Sequence, residues 1–97
     1  MSTQPATGYY DSLLHAPTFS SDPVGKRQAE CWKRLVDDIH KSTTEQDLSE
    51  ARGKAEGYII GLVEAGHLCH DRERDYTILS SVHRRQDFLR SLLSTYT

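Results

Sequence analysis

The chain has 97 residues, of which 36% are hydrophobic and 27% are charged, and its formal net charge is −2. A chain of this length forms one small domain and cannot enclose a large cofactor. No segment of the chain has the strong basic excess that is expected of a protein whose affinity comes mainly from contacts to phosphate groups. The longest apolar run, over residues 58–63, is far shorter than the roughly 20 residues that a bilayer span needs.

The N-terminal sequence and the cysteines indicate the compartment. Residues 1–5 have neither the basic nor the apolar region of a signal peptide, which predicts a cytoplasmic protein. In that compartment we expect Cys31 and Cys69 to be reduced rather than joined in a disulfide.

The N-terminal region combines a polar start with a short apolar segment. Residues 1–8 are predicted to be a flexible tail, which leaves residues 9–97 as a single helical domain. Apolar residues spaced by one or two helical turns then predict a short helix, which Pro17 ends. The residues with this spacing are Tyr9, Tyr10, Leu13 and Leu14.

Three longer amphipathic helices are predicted after this segment. Asp22 followed by Pro23 is a typical helix start, because the carboxylate caps free amides and proline suits the first helical position. Apolar residues then recur on one side of the helix as far as Ile39, with charged residues on the other side. For the second long helix, Thr43 and Gln46 have the spacing of a capping box.

The second long helix is predicted to end at Gly66, and Asp71 is predicted to cap the third. Arg85 lies near the apolar face of that third helix, which predicts a kink or an end near residues 84–87. The alternation typical of strands is absent, and short connections favour antiparallel neighbours. The predicted fold is therefore all-α: a small antiparallel helical bundle of three long helices plus a short N-terminal helix.

Three glycines lie inside the second long helix, where each costs about 1 kcal/mol relative to alanine. We call Gly53, Gly57 and Gly61 the glycine ridge, because a spacing of four residues places them along one side of the helix. At 100° per residue the ridge lies opposite the helix's apolar face, with Ile60 beside it. The helix is thus predicted to have two packing faces.

Three interpretations of the glycine ridge are open. The ridge is covered by this chain's own segment over residues 9–14, or it binds another protein or a second copy of the chain. The third interpretation is that the helix breaks at the glycines.

No motif typical of catalysis is present, so we expect no enzyme activity and no small-molecule substrate. The stretch containing His67, Cys69 and His70 offers imidazole and thiolate groups, but it lacks the paired ligand spacing of structural zinc sites. We therefore expect neither a metal site nor a cofactor.

These patterns favour a small non-enzymatic protein-interaction module, such as an adaptor, a regulator or an antagonist. Small accessory proteins of phages and plasmids have this character. The predicted partner-binding residues are Tyr9, Tyr10, Gly53, Gly57, Ile60 and Gly61.

The alternative function is DNA binding through a helix-turn-helix. In that case the last helix would supply the basic residues, although acidic side chains between them dilute its charge. The predicted nucleic-acid-binding residues are Arg72, Arg74, Arg84 and Arg85.

Overall fold

The computed structural model describes the backbone of residues 5–95 and the side chains of residues 8–92. Four helices and no strand occur in these ranges, which confirms the all-α bundle of three long helices and a short N-terminal one. None of the described helices is long and apolar enough to cross a membrane. The helices are α1 (Pro5–His15), α2 (Pro23–Lys41), α3 (Glu45–Glu64) and α4 (Arg72–Thr95).

Side-chain caps define where the three long helices begin. Asp22 and Asp71 each accept a hydrogen bond from the backbone amide three residues along the chain, as predicted. The cap of α3 is Thr44 rather than the predicted Thr43, since the Thr44 hydroxyl oxygen is the one that accepts from the Asp47 amide, at 3.0 Å. The capping-box prediction was therefore wrong by one residue.

The end of α3 is formed by Gly66, as predicted. Gly66 has a φ of 82°, a left-handed conformation that glycine adopts without steric penalty. Its amide donates to the Val63 carbonyl oxygen at 3.1 Å, and the His67 amide donates to the Leu62 carbonyl oxygen at 2.8 Å. These bonds satisfy carbonyl groups that the end of a helix otherwise leaves free.

The first helix begins earlier than predicted. Residues 5–8 were assigned to a flexible tail, but they form the first turn of α1, and residues 1–4 lie outside the described residues. Proline is well suited to a helix's first position because the amide that it lacks has no partner there. Pro5 therefore starts the helix that was expected from Tyr9 onward.

The helices enclose one hydrophobic core. Helix α1 packs against α2 and α4, while α3 packs mainly against α2 and makes fewer contacts with α4. Near the start of α3, Glu45 meets Arg90 from the end of α4, so these two helices are antiparallel. The core residues are Tyr9, Leu13, Trp32, Val36, Ile39, Leu48, Ala51, Ala55, Ile59, Ile78, Val82 and Leu89.

Helix α4 is continuous through Arg85, so the predicted end near residues 84–87 was wrong. The Arg85 side chain is buried and donates a hydrogen bond to the Ser42 carbonyl oxygen just after α2. Its guanidinium carbon also lies 5.8 Å from the ring centre of Tyr9 and 5.0 Å from that of Phe88. Carbonyl and aromatic partners of this kind stabilise a buried cation, which therefore does not interrupt the helix.

Candidate interaction surface

The glycine ridge is open to solvent. A methyl group added at Gly53, Gly57 or Gly61 would meet no described atom within 4 Å outside the helix's own backbone. The interpretation that residues 9–14 cover the ridge was therefore wrong, because α1 packs against α2 and α4 on another side of the bundle. The interpretation that the helix breaks at the glycines was also wrong, since α3 is continuous.

The two N-terminal tyrosines do not join the ridge in one surface. Tyr9 is only 1% exposed, and its hydroxyl oxygen lies 2.8 Å from Nδ1 of His40. Tyr10 is half-buried, and its hydroxyl donates to the Asp37 carboxylate at 2.7 Å. The predicted surface of tyrosines plus glycines is thus divided between α1 and α3, which do not contact each other in the described residues, and Tyr9 is a core residue.

The environments of these tyrosines keep their hydroxyl groups protonated. Burial raises the pKa of Tyr9, although the nearby Arg85 cation opposes that rise. The pKa of Tyr10 is raised chiefly because its hydroxyl donates to Asp37, a bond that ionisation would remove. Both tyrosines therefore hold α1 against α2 across the neutral pH range.

A groove lies between α3 and α4, beside the glycine ridge, and we call it the α3–α4 groove. It consists of two adjoining hollows with volumes of about 210 and 250 Å³. Its apolar floor consists of Ile59, Ile60, Val63 and Ile78. Ile60 is the most exposed of these, with 57% of its surface accessible to solvent.

Helices α3 and α4 are linked at both ends of the region that contains the groove. At one end, Glu45 accepts from Gln86 at 3.2 Å and from Arg90 at 3.3 Å, which holds the helices together there. At the other end, the connection over residues 65–71 carries the chain from α3 to α4. Between these two points α3 and α4 make few contacts, and the apolar floor is partly uncovered.

The groove's edges carry acidic groups toward solvent. Arg74 is only 6% exposed and donates to the Cys69 carbonyl oxygen at 2.8 Å. Arg74 also forms an ion pair with Asp75, whose carboxylate oxygen lies 3.4 Å from Nη2 of Arg74, and 62% of the Asp75 side chain is exposed. Glu56 and Glu64 continue the acidic edge along α3, and Glu56 is paired with Arg52 at 3.1 Å.

The four arginines of the DNA-binding alternative do not share one exposed surface. Arg72 and Arg84 are exposed, but Arg74 and Arg85 are buried and donate to backbone carbonyl groups. DNA binding would need Arg74 on an exposed face of the last helix, and its burial contradicts that part of the alternative. The connection between α3 and α4 is also longer than the roughly three or four residues of a helix-turn-helix turn.

A second groove, which the sequence patterns did not indicate, lies between the loop after α1 and helix α2. We call it the Phe19 groove, and its volume is about 410 Å³. Leu14, Pro17, Phe19 and Trp32 supply apolar surface. Its charged rim differs from that of the α3–α4 groove because lysines predominate. The charged residues of this rim are Lys26, Glu30 and Lys33.

The histidine and cysteine cluster after α3 forms no metal-binding geometry in the described part of the chain. Nδ1 of His67 lies 3.1 Å from the amide nitrogen of the Gln28 side chain, so this histidine links the α3–α4 connection to α2. Cys69 is exposed and Cys31 is half-buried, and both are free thiols.

The α4 side of the α3–α4 groove was not among the predicted site residues. Ile78 belongs to the apolar face of the last helix. Periodicity identifies such a face, but it does not identify the helix that packs against it. A usable signal was present in α3, whose apolar face extends to Val63 and is wider than one packed neighbour can cover. Comparisons with protein-family models, curated proteins and solved structures found no match to this chain.

Proposed function

We propose that this protein is a non-enzymatic helical interaction module that binds a partner protein through the exposed side of α3. The proposed surface comprises the glycine ridge and the adjoining α3–α4 groove. Ile60 belongs to both, since it lies on the groove floor and beside the ridge. Binding there would let the chain act as an adaptor, a regulator or an antagonist.

The observation that carries this proposal is the absence of any described cover over the glycine ridge. Three glycines inside a helix cost about 3 kcal/mol, a large part of a small domain's stability. The fold itself does not need them, because alanine would fit at each position. We therefore expect the glycines to be favourable when another molecule packs on α3. Because they have no side chains, the backbone of that molecule can approach the backbone of α3 closely.

The neighbouring apolar surface supports the same conclusion. Ile60 is 57% exposed beside the ridge, and Val63 is half-buried in the groove, so this side of α3 presents apolar area to solvent. Contiguous apolar area on a small protein is typical of a binding site. We keep the cytoplasm as the proposed compartment, because free Cys31 and Cys69 suit a reducing environment.

Replacing all three ridge glycines by alanine tests the proposal, because its effects on folding and on binding should have opposite signs. We expect each substitution to stabilise the fold by up to about 1 kcal/mol, measured by urea unfolding. Partner capture should fall, because three methyl groups would separate the two surfaces. Gly8→Ala is the matched control, since Gly8 is also helical and open to solvent.

The binding measurement uses the full chain as bait in the native host, with captured proteins quantified by mass spectrometry. A partner retained by the unmodified chain and by Gly8→Ala, but lost with the triple variant, would support the proposal. Equal capture by all three baits would contradict it. DNA binding, the alternative function, predicts retention on a nitrocellulose filter that falls steeply with salt concentration.

A further inference from the structure

We infer that the α3–α4 groove receives a basic amphipathic helix of the partner protein. This inference rests on the proposed function and adds the chemistry of the partner's binding segment.

The shape of the groove fits a helix. Two antiparallel helices form its walls, and a third helix packed between two others is the ordinary arrangement in a helical bundle. The α3 residues that line the groove fall within 56–64, a stretch about 14 Å long at 1.5 Å per residue, which matches about two and a half turns of a bound helix. Apolar side chains three or four residues apart on that helix would contact mainly Ile60 and the half-buried Val63, because Ile59 and Ile78 at the bottom of the groove are each only 4% exposed.

The charges favour a basic segment. Three carboxylates line the groove, those of Glu56, Glu64 and Asp75. Arg74 also lines it, but its side chain is buried, donates to a backbone carbonyl and forms an ion pair with Asp75 at 3.4 Å, so the negative charges outnumber the positive one. An approaching helix therefore meets negative charge at both edges of an apolar floor. Lysine or arginine residues flanking the apolar side chains would complement that pattern and accelerate association.

The backbone beside the groove allows a close approach. Gly53, Gly57, Ile60 and Glu64 follow one another along a single stripe of α3. A helix that contacts Ile60 can thus also lie directly against the bare backbone at the two glycines.

The same charges disfavour a second copy of this chain as the occupant. A two-fold axis at Gly57 would place Glu50 of one copy opposite Glu64 of the other, on both sides of the axis. Both glutamates are exposed on α3. Like charges held face to face oppose this pairing, so we assign the groove to a different protein.

Two synthetic peptides with the same apolar face test the inference. One is an 18-residue helix of leucine and lysine, and the other has glutamate in place of lysine. Each is titrated into the ¹⁵N-labelled full chain while amide resonances are recorded by NMR. We expect the lysine peptide to shift the resonances of Gly57, Ile60, Gly61 and Ile78, and the glutamate peptide to leave them unchanged.

Two substitutions and their controls localise the binding. Ile60→Lys should weaken binding of the lysine peptide at least about tenfold, because it removes apolar contact and adds a like charge. Val24→Lys is the matched control, since Val24 is 46% exposed on α2, away from the groove. Glu64→Lys should weaken the lysine peptide and strengthen the glutamate peptide, whereas Glu30→Lys on α2 should change neither at this groove.

Three results would overturn the inference. Equal binding of both peptides in the groove would show that its occupant is not selected by charge, while leaving the proposed interaction function intact. Shifts confined to the Phe19 groove would show that a basic helix binds there instead. If no resonance of the α3–α4 groove shifted, the groove would not bind a basic helix. The glycine-to-alanine experiment tests the proposed function separately, through a partner from the host.

Discussion

On the N-terminal side of the bundle, Tyr9 and Trp32 are almost completely buried, whereas on the α3 side Ile60 and the glycine ridge are open to solvent. The first side uses large aromatic residues whose polar atoms all have partners nearby. The indole NH of Trp32, for example, donates to the Leu13 carbonyl oxygen at 2.8 Å. The second side has glycines where larger residues would fit.

This difference separates folding from binding. Aromatic residues bury large apolar areas, so the N-terminal side supplies much of the stability of a small domain. The glycines of α3 reduce stability and leave backbone uncovered. If the two sides have these separate roles, substitutions on the first should change unfolding, while substitutions on the second should change binding.

The largest expected effect is on the N-terminal side. Leu13 is fully buried between α1 and the rest of the core, so Leu13→Ala should destabilise the fold by about 2–5 kcal/mol. Urea unfolding followed by circular dichroism measures this loss. Leu14→Ala is the control, because the half-buried neighbour leaves a smaller cavity and should cost less than half as much. Equal losses for both variants would contradict the role assigned to Leu13.

Alanine substitutions at two glycines should change the stability of the fold by smaller amounts and with opposite signs. A methyl group at Gly25 would overlap the backbone of Ser20, so Gly25→Ala should destabilise the fold by about 1–3 kcal/mol. Gly57→Ala meets open space and should stabilise it by up to about 1 kcal/mol. Thermal and urea unfolding of the two variants provide the test. Destabilisation by Gly57→Ala would indicate a role for that glycine in the fold itself.

The smallest expected effect concerns the cap of α2. The pKa of Asp22 is lowered, mainly because its carboxylate accepts from the Gly25 amide and then from the Ser20 hydroxyl. As the pH falls, the unfolded chain binds this proton first. The cap's charge-dependent stabilisation is therefore complete above about pH 4 and is lost as the pH falls through the folded-state pKa.

Asp22→Asn removes this dependence while keeping an acceptor at the cap. The difference in stability between the unmodified chain and this variant should be constant from pH 5 to 7 and should shrink below about pH 4. Urea unfolding at each pH measures it. A difference that stays constant down to pH 2.5 would contradict the lowered pKa.

Much of the fold could be predicted from periodicity and caps. The apolar pattern from Pro23 and the glycine at position 66 located the ends of helices, because caps act through local chemistry. Arg85 was misinterpreted because its partners, the Ser42 carbonyl and the Tyr9 ring, lie far away in the sequence. A helical pattern shows which face is apolar and not which helix will cover it.

The candidate site was only partly predictable for the same reason. The glycine ridge was visible because glycine contradicts helix propensity, and Ile60 was visible because it lies beside the ridge. Tyr9 and Tyr10 were assigned to the wrong side, since an apolar N-terminal segment can dock on any helix. The α3–α4 groove depends on the distance between two helices, which no local pattern encodes.

The chain's one tryptophan gives the molecule a built-in optical probe of α1. Because the Trp32 indole is buried and bonded to the Leu13 carbonyl, departure of α1 would expose it to water and shift its fluorescence to longer wavelength. The α3–α4 groove lies away from this indole, so a ligand bound there would leave the emission unchanged. Fluorescence can therefore distinguish release of the N-terminal helix from occupation of the groove in a single unlabelled sample.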